Sequence, residues 1–111
     1  MLIYNVTMHV DEAIHDAWLT WMLDQHIPEV LATGKFTKAL MTQVLVQEDP
    51  GGITYSVQYS CLSREALERY YAEDAPRLRE ETSRRFGNRL GAFRTELQVV
   101  SEISAGTKNG Q

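Results

Sequence analysis

The segment from Trp18 to Glu29 contains most of the side chains in this chain that could do chemistry. Trp18 and Trp21 lie three residues apart, which places them on one face of a helix. His26 follows about one turn later, and Pro28 comes two residues after it. Because a histidine titrates near neutral pH, His26 is the candidate for a general base or a hydrogen-bond donor.

We predict that this histidine lies in a small-molecule cleft between helices and sheet. Its candidate ligand-binding neighbours are Trp18, Trp21, Met22 and Tyr55, with His26 in the catalytic position. The alternative is structural: aromatic residues at helical spacing usually pack in a core, and His26 would then bind a nearby carbonyl group. Either reading makes this segment a major packing element.

Metal and thiol chemistry have little support in the sequence. His15 and His26 are eleven residues apart, about 16 Å along a helix at 1.5 Å per residue, so they cannot share one ion. Cys61 is the single cysteine, which excludes an intrachain disulfide, and a buried inert thiol is expected. Gly51-Gly52 fits a turn and no phosphate-binding motif. We therefore expect neither a metal nor a cofactor.

The bulk composition bounds the type of protein. With 111 residues, we predict one domain over residues 1–103 and a disordered tail over 104–111. A net charge of −4 argues against nucleic acid as a partner, since phosphate binding needs a basic surface. There is no apolar run of about 18 residues and no signal-like start, so we expect no membrane segment and a cytoplasmic location.

Alternating apolar residues predict four strands. The first carries Leu2, Tyr4, Val6, Met8 and Val10, and the cleanest runs over residues 53–61. A longer strand is expected over residues 36–48, joined to the next by a turn at residues 49–52. For the last strand we expect Phe93, Thr95, Leu97 and Val99 to face the helices, with Arg94, Glu96, Gln98 and Val100 pointing outward.

Helical periodicity fills the two remaining stretches. Asp11 is the expected cap of the first helix, Pro28 should kink or restart it, and Gly34 should end it. The second stretch is expected to begin at the Ser63 cap and to break near Asp74, ahead of Pro76.

The resulting order, βαββαβ, predicts a ferredoxin-like α+β sandwich with an antiparallel sheet. Right-handed crossovers put both helical stretches on one sheet face, so the other face is open in a monomer. We expect two copies to pair through that face as a homodimer. RNA binding through the sheet is not expected, because Tyr55 and Tyr59 should lie under the helices.

Several blocks resemble a family of short bacterial proteins known only as a domain of unknown function. They are Ile3 to Thr7, Trp18 to Gly34 with its His26-Ile27-Pro28-Glu29 core, Tyr55 to Tyr59, Arg85 to Gly87 and Phe93 to Thr95. The resemblance implies a dimeric α+β barrel and brings no activity. More distantly, Trp21, His26 and Pro28 are similar to a pattern in ether-degradation accessory proteins of the same superfamily, which also includes cofactor-free monooxygenases and lactone isomerases.

Two hypotheses about function follow. In the first, the protein binds or transforms a small molecule in the cleft beside His26. In the second, it is a non-catalytic dimeric sensor or assembly module with a filled core. The sequence leaves open whether the protein is an enzyme.

Overall fold

The computed structural model describes residues 1–45 and 51–106, which form a four-stranded antiparallel sheet with helices on one face. The strands are β1 (Leu2–Asp11), β2 (Lys38–Gln43), β3 (Gly52–Cys61) and β4 (Leu90–Gln98). The helices are α1 (His15–Trp21), α2 (Ile27–Ala32), α3 (Arg64–Glu73) and α4 (Ala75–Phe86). Sheet order is β2-β3-β1-β4. This order confirms the predicted ferredoxin-like sandwich.

Strand β1 lies between β3 and β4, and its side chains alternate strictly between the two faces. Tyr4 and Val10 are 2% and 0% exposed under the helices, whereas Asn5 and His9 are partly exposed on the other face. Its register with β3 pairs Tyr4 with Tyr59 and Met8 with Tyr55, so both tyrosines of β3 are also buried under the helices. The predicted faces of both strands are confirmed.

The first helical stretch is one continuous path with a wide turn in its middle. The Asp11 carboxylate accepts from the Ala13 amide and caps the opening turn, as predicted. Between α1 and α2, residues Met22–His26 form a π turn, and the Ile27 amide donates to the Met22 carbonyl. This wider turn leads into Pro28, which has no amide hydrogen to donate and lies at the start of α2. Gly34, at φ 79°, follows the helix end.

The second stretch divides where the sequence places the break. The Ser63 hydroxyl accepts from the Ala66 amide and caps α3. Helix α4 begins at Ala75 with Pro76 in its first turn, where a missing amide hydrogen costs nothing. Gly87, at φ 59°, ends the helix in a conformation that side chains rarely adopt.

Strand β2 differs from the prediction. It covers only Lys38–Gln43, and residues 46–48 of the predicted strand lie outside the described part of the chain. It is an edge strand and is largely exposed, and Leu40 is 58% exposed on the open face. Residues 104–106 of the predicted tail form neither helix nor strand, and residues 107–111 are also outside the described ranges.

The predicted orientation of β4 is wrong. Its register pairs Arg94 with Val6 and Glu96 with Tyr4, so both charged residues lie on the helix side of the sheet. Phe93 pairs with Thr7 on the open face, where Phe93 remains 64% exposed. The apolar alternation of this strand therefore faces away from the core, because pairing with β1 fixes which parity faces the helices.

The core lies between the sheet and the helices. Trp18, Met22, Val57, Leu67 and Leu78 are at most 1% exposed there. Among the described residues, no helix is long and apolar enough to cross a membrane.

Candidate functional site

A cavity lies between the helices and the central strands. The centre of a water molecule can occupy about 50 Å³ of this cavity. That is enough space for a few waters or a small chemical group. Most of its walls are apolar, and the polar groups that line it are His26, Arg79, Thr82, Arg94 and the tyrosine side chains. Its lining comprises Tyr4, Val6, Met8, Met22, His26, Val30, Tyr59, Tyr70, Leu78, Arg79, Thr82, Leu90, Ala92 and Arg94.

The π turn positions His26 at this cavity. His26 stacks against the indole of Trp21, with ring centres 4.8 Å apart and planes inclined by 29°. Met22, at the other end of the same turn, lines the cavity beside it. The Nδ1 atom of His26 is buried without a hydrogen-bond partner among the described residues. An unpartnered buried ring nitrogen at a cavity wall is a group that a ligand could engage.

Burial lowers the pKa of His26 from 6.5 to about 4. Removal of the ring from water is the main cause, because it disfavours the charged form. The carboxylate of Glu81 acts in the opposite direction, and the guanidinium of Arg94 adds a smaller lowering effect. At neutral pH the imidazole is therefore uncharged, with one nitrogen that donates and one that accepts.

Two arginines reach the same atom at this cavity. Arg79 Nη2, from α4, donates to the Tyr4 hydroxyl over 2.9 Å, and Arg94 Nε, from β4, donates to it over 3.1 Å. Tyr4 is almost fully buried, whereas both arginines are exposed. Neither arginine is among the predicted site residues: Arg79 is not singled out by the sequence pattern, and Arg94 was predicted on the wrong side of the sheet. A correct β4 register would have found Arg94.

The structure does not bring all of the predicted residues to one place. Met22 lines the cavity with His26, and Trp21 contacts His26 without lining the cavity. Trp18 and Tyr55 are also absent from the cavity lining. They form a separate cluster, with ring centres 5.1 Å apart, and the Tyr55 hydroxyl lies 2.7 Å from His15 Nε2. Trp18 is fully buried in that cluster, which fits a packing role.

Metal and thiol chemistry find little support in the geometry. Within residues 1–45 and 51–106, no group of three or more His, Cys, Asp or Glu residues has a metal-binding arrangement. Cys61 is fully buried, and its burial raises the pKa of its thiol, which reduces reactivity near neutral pH. Its Sγ lies 3.6 Å from the Ser63 carbonyl oxygen.

The model of a family described as a domain of unknown function, DUF4286, matches residues 1–100. The chain belongs to the DUF4286 family. No curated protein matches the chain. The resemblance to a family without an assigned activity is thereby confirmed, and the family brings no reaction with it.

Solved structures similar to this DUF4286 chain share its fold at low sequence identity. A dimeric ferredoxin-like protein from an uncultured marine organism has a TM-score of 0.64 at 14% identity, covering 95% of this chain and 100% of its own. A Deinococcus radiodurans protein, provisionally named an antibiotic biosynthesis monooxygenase, has a TM-score of 0.66 at 16% identity, with 96% and 100% covered. An ethyl tert-butyl ether degradation family protein from Bacillus halodurans has 0.61 at 12%, with 86% and 97% covered. At these identities the likeness establishes the ferredoxin-like fold alone.

Proposed function

We propose that this protein binds a small organic molecule in the cavity beside His26. The observation that carries the proposal is the uncharged, buried imidazole with an unpartnered Nδ1 on the wall of a mostly apolar cavity. Ligand pockets typically combine apolar walls with a few converging polar groups, and here Arg79, Arg94 and Tyr4 supply the others.

The low pKa of His26 favours a hydrogen-bonding role over proton abstraction. A general base is most effective when its pKa lies near the working pH, whereas an imidazole with a pKa of about 4 holds a proton weakly. His26 thus orients a polar group of the ligand. Catalysis would require the ligand to raise the pKa of His26, which an anionic ligand does by Coulomb attraction.

Ligand binding can be tested with straight-chain alcohols, primary amides and carboxylic acids from two to eight carbons. The histidine ring signals in NMR spectra should shift for His26 upon addition of at least one class. His26→Gln should weaken that binding by about tenfold, the effect of one hydrogen bond of about 1.4 kcal/mol. His9→Gln is the matched control, because His9 lies on the open face and bonds Thr54.

A negative result with all three classes of probe would contradict this site. If none of them changes the His26 signals at concentrations in the tens of millimolar, the cavity is a packing defect and the proposed small-molecule function is wrong.

The second hypothesis, a non-catalytic dimeric module, requires a dimer, and the open sheet face supports the dimer. Leu40, Phe93 and Leu97 are 58%, 64% and 37% exposed there, which is unusual for large apolar side chains on one surface. We propose that a second copy of the chain covers this face. The similar marine protein is described as dimeric, which supports the proposal. The dimer is compatible with either function, and only an occupied cavity favours the small-molecule site.

The cytoplasmic location and the bacterial origin also remain proposals. They rest on the composition and on the resemblance to short bacterial proteins, and a fractionation of cells expressing the full chain would test the location.

A further inference from the structure

We infer that the ligand of this cavity carries a carboxylate, held by Arg79 and Arg94 above the Tyr4 hydroxyl. The inference rests on the proposed small-molecule site and goes further by giving its ligand a chemical class. It depends on three observations: the convergence of the donors, the lack of a neutralising partner, and the size and polarity of the remaining cavity.

The first observation is that the groups that converge on the Tyr4 hydroxyl all have hydrogens to donate. The Tyr4 oxygen accepts from Arg79 Nη2 and from Arg94 Nε, which uses both of its lone pairs. Its own O–H hydrogen then remains to be donated. Each guanidinium keeps further N–H groups besides the one that binds Tyr4. A ligand group placed here must be an acceptor, and a carboxylate accepts at two oxygens from such a fork.

The second observation is that, in the described part of the chain, neither Arg79 nor Arg94 has a carboxylate partner, in contrast to Arg64 and Lys35. Arg64 lies 2.7 Å from Glu96, and Lys35 lies 2.8 Å from Glu73. Among the residues that the structure describes, neither Arg79 nor Arg94 has a carboxylate within 4.0 Å. Two like charges that share one hydroxyl repel each other, so an anion between them is stabilised by both.

The carboxylate that shares the helix side of β4 with Arg94 is already engaged elsewhere. Glu96 is two residues from Arg94 on the helix side of β4, but its oxygens accept from Arg64 and from the Tyr71 hydroxyl. Arg79 lies with its guanidinium carbon 6.0 Å from the centre of the Tyr71 ring, a contact that holds the side chain without neutralising it. Glu81 is close enough to raise the pKa of His26, but among the described residues it forms no ion pair with Arg79 or Arg94. The positive charge of the pair is therefore available to a ligand.

The third observation concerns the rest of the ligand. Behind the arginines the walls are apolar, formed by Val6, Met8, Met22, Val30, Leu78 and Leu90. The open space of about 50 Å³ admits a short apolar chain of a few carbons. His26 lies on the same lining and can bind a second polar atom of the ligand. The geometry thus fits a small carboxylic acid whose acid group binds the two arginines and whose apolar tail lies against the apolar walls.

Butyrate and butyramide test this inference, because they have the same shape and differ in charge. Binding is followed by NMR shifts of the His26 ring and of the arginine side-chain N–H groups. We expect butyrate to bind about tenfold more tightly than butyramide, since a charged hydrogen bond is roughly twice as strong as a neutral one. Bound butyrate should also raise the pKa of His26, which a purely structural arginine pair would not do.

Two variants assign the preference to the arginines. Arg79→Gln and Arg94→Gln should each weaken butyrate binding by about tenfold and butyramide binding by a clearly smaller factor, because only the acid loses a charged hydrogen bond. Arg84→Gln is the matched control, since Arg84 lies exposed on the same helix and is not in the cavity lining. Circular dichroism confirms that each variant is folded before binding is measured.

The outcomes separate the inference from the proposed function. If butyramide shifts the His26 ring as strongly as butyrate, the cavity binds small molecules but the carboxylate inference is overturned. The same conclusion follows if butyrate is preferred and both arginine variants retain that preference. If acids, amides and alcohols from two to eight carbons all leave the NMR signals of the His26 ring unshifted, both the small-molecule site and the carboxylate inference are wrong.

Discussion

The imidazole of His26 lies against the indole of Trp21, with ring centres 4.8 Å apart, although five residues separate them in the chain. Residues five apart point in different directions on a regular α-helix, at about 100° per residue. The π turn over Met22–His26 changes this geometry, because its hydrogen bonds span five residues. A local widening of the helix therefore places the histidine against the core and at the cavity wall.

This contact predicts an unusual titration. His26 should show a midpoint near pH 4 in NMR spectra that follow the ring nitrogens, because packing against Trp21 and the core removes it from water. The ring should be uncharged from pH 5.5 upward. A midpoint above pH 6 would mean that the ring is solvated, and it would remove the basis for the hydrogen-bonding role.

The same burial predicts a loss of stability in mild acid. The unfolded chain takes up a proton at His26 near pH 6.5 and the folded chain only near pH 4. Above pH 6.5 the ring is neutral in both states, so titration of His26 takes nothing from the free energy of unfolding there. As the pH falls from 6.5 to 4, the free energy of unfolding should decrease by up to about 3 kcal/mol through this residue.

Urea unfolding of the wild type and of His26→Gln at a series of pH values measures that loss. The difference between the two proteins should shrink or reverse as the pH falls through this window. His9→Gln retains His26 and should follow the wild type. Parallel curves for the wild type and His26→Gln would contradict a buried neutral imidazole.

Much of the fold follows from local patterns in the sequence. The strict alternation from Leu2 to Val10 predicts the buried face of β1, and the caps at Asp11 and Ser63 mark the starts of the helical stretches. Pro76 and Gly87 bound α4 for equally local reasons: a missing amide hydrogen and a positive φ. These features need no knowledge of distant contacts.

The predictions from the sequence are wrong where contacts between distant parts of the chain determine the structure. The alternation of Phe93, Thr95 and Leu97 predicts an apolar face correctly, but only the pairing with β1 determines which side of the sheet it occupies. The arginine pair was missed for the same reason, since Arg79 of α4 and Arg94 of β4 meet only at the hydroxyl of Tyr4, which is far from both in the sequence. An apolar strand face that points away from the core is explained if a second copy covers it.

The proposed dimer predicts a clear effect of charge on the open face. Phe93→Glu should convert the dimer to a monomer, because a carboxylate in a buried interface costs several kcal/mol without a partner. Light scattering coupled to size exclusion measures the mass. Leu23→Glu is the control, since Leu23 is 54% exposed on the helical stretch and should leave the dimer intact. A wild-type monomer at micromolar concentration would overturn the dimer directly.

Replacement of Gly52 should lower stability, because β3 pairs closely with β1 at this position. Gly52 lies opposite Asp11, and a Cβ atom there would be 2.8 Å from the Val10 carbonyl oxygen and would clash with the His9 ring. The backbone oxygen cannot move without disturbing the central strand. Gly52→Ala should therefore lower the free energy of unfolding by about 1–3 kcal/mol, the usual cost of inserting a methyl group into a packed site.

Gly91→Ala provides the matched control for that prediction. Gly91 lies on β4 opposite His9, and a Cβ atom there meets no atom within 4 Å of described structure. Its replacement should be neutral or slightly stabilising, because alanine has less conformational freedom in the unfolded chain. Equal effects of the two substitutions in urea unfolding would show that the β1–β3 register differs from the one described, and with it the position of His9 on the open face.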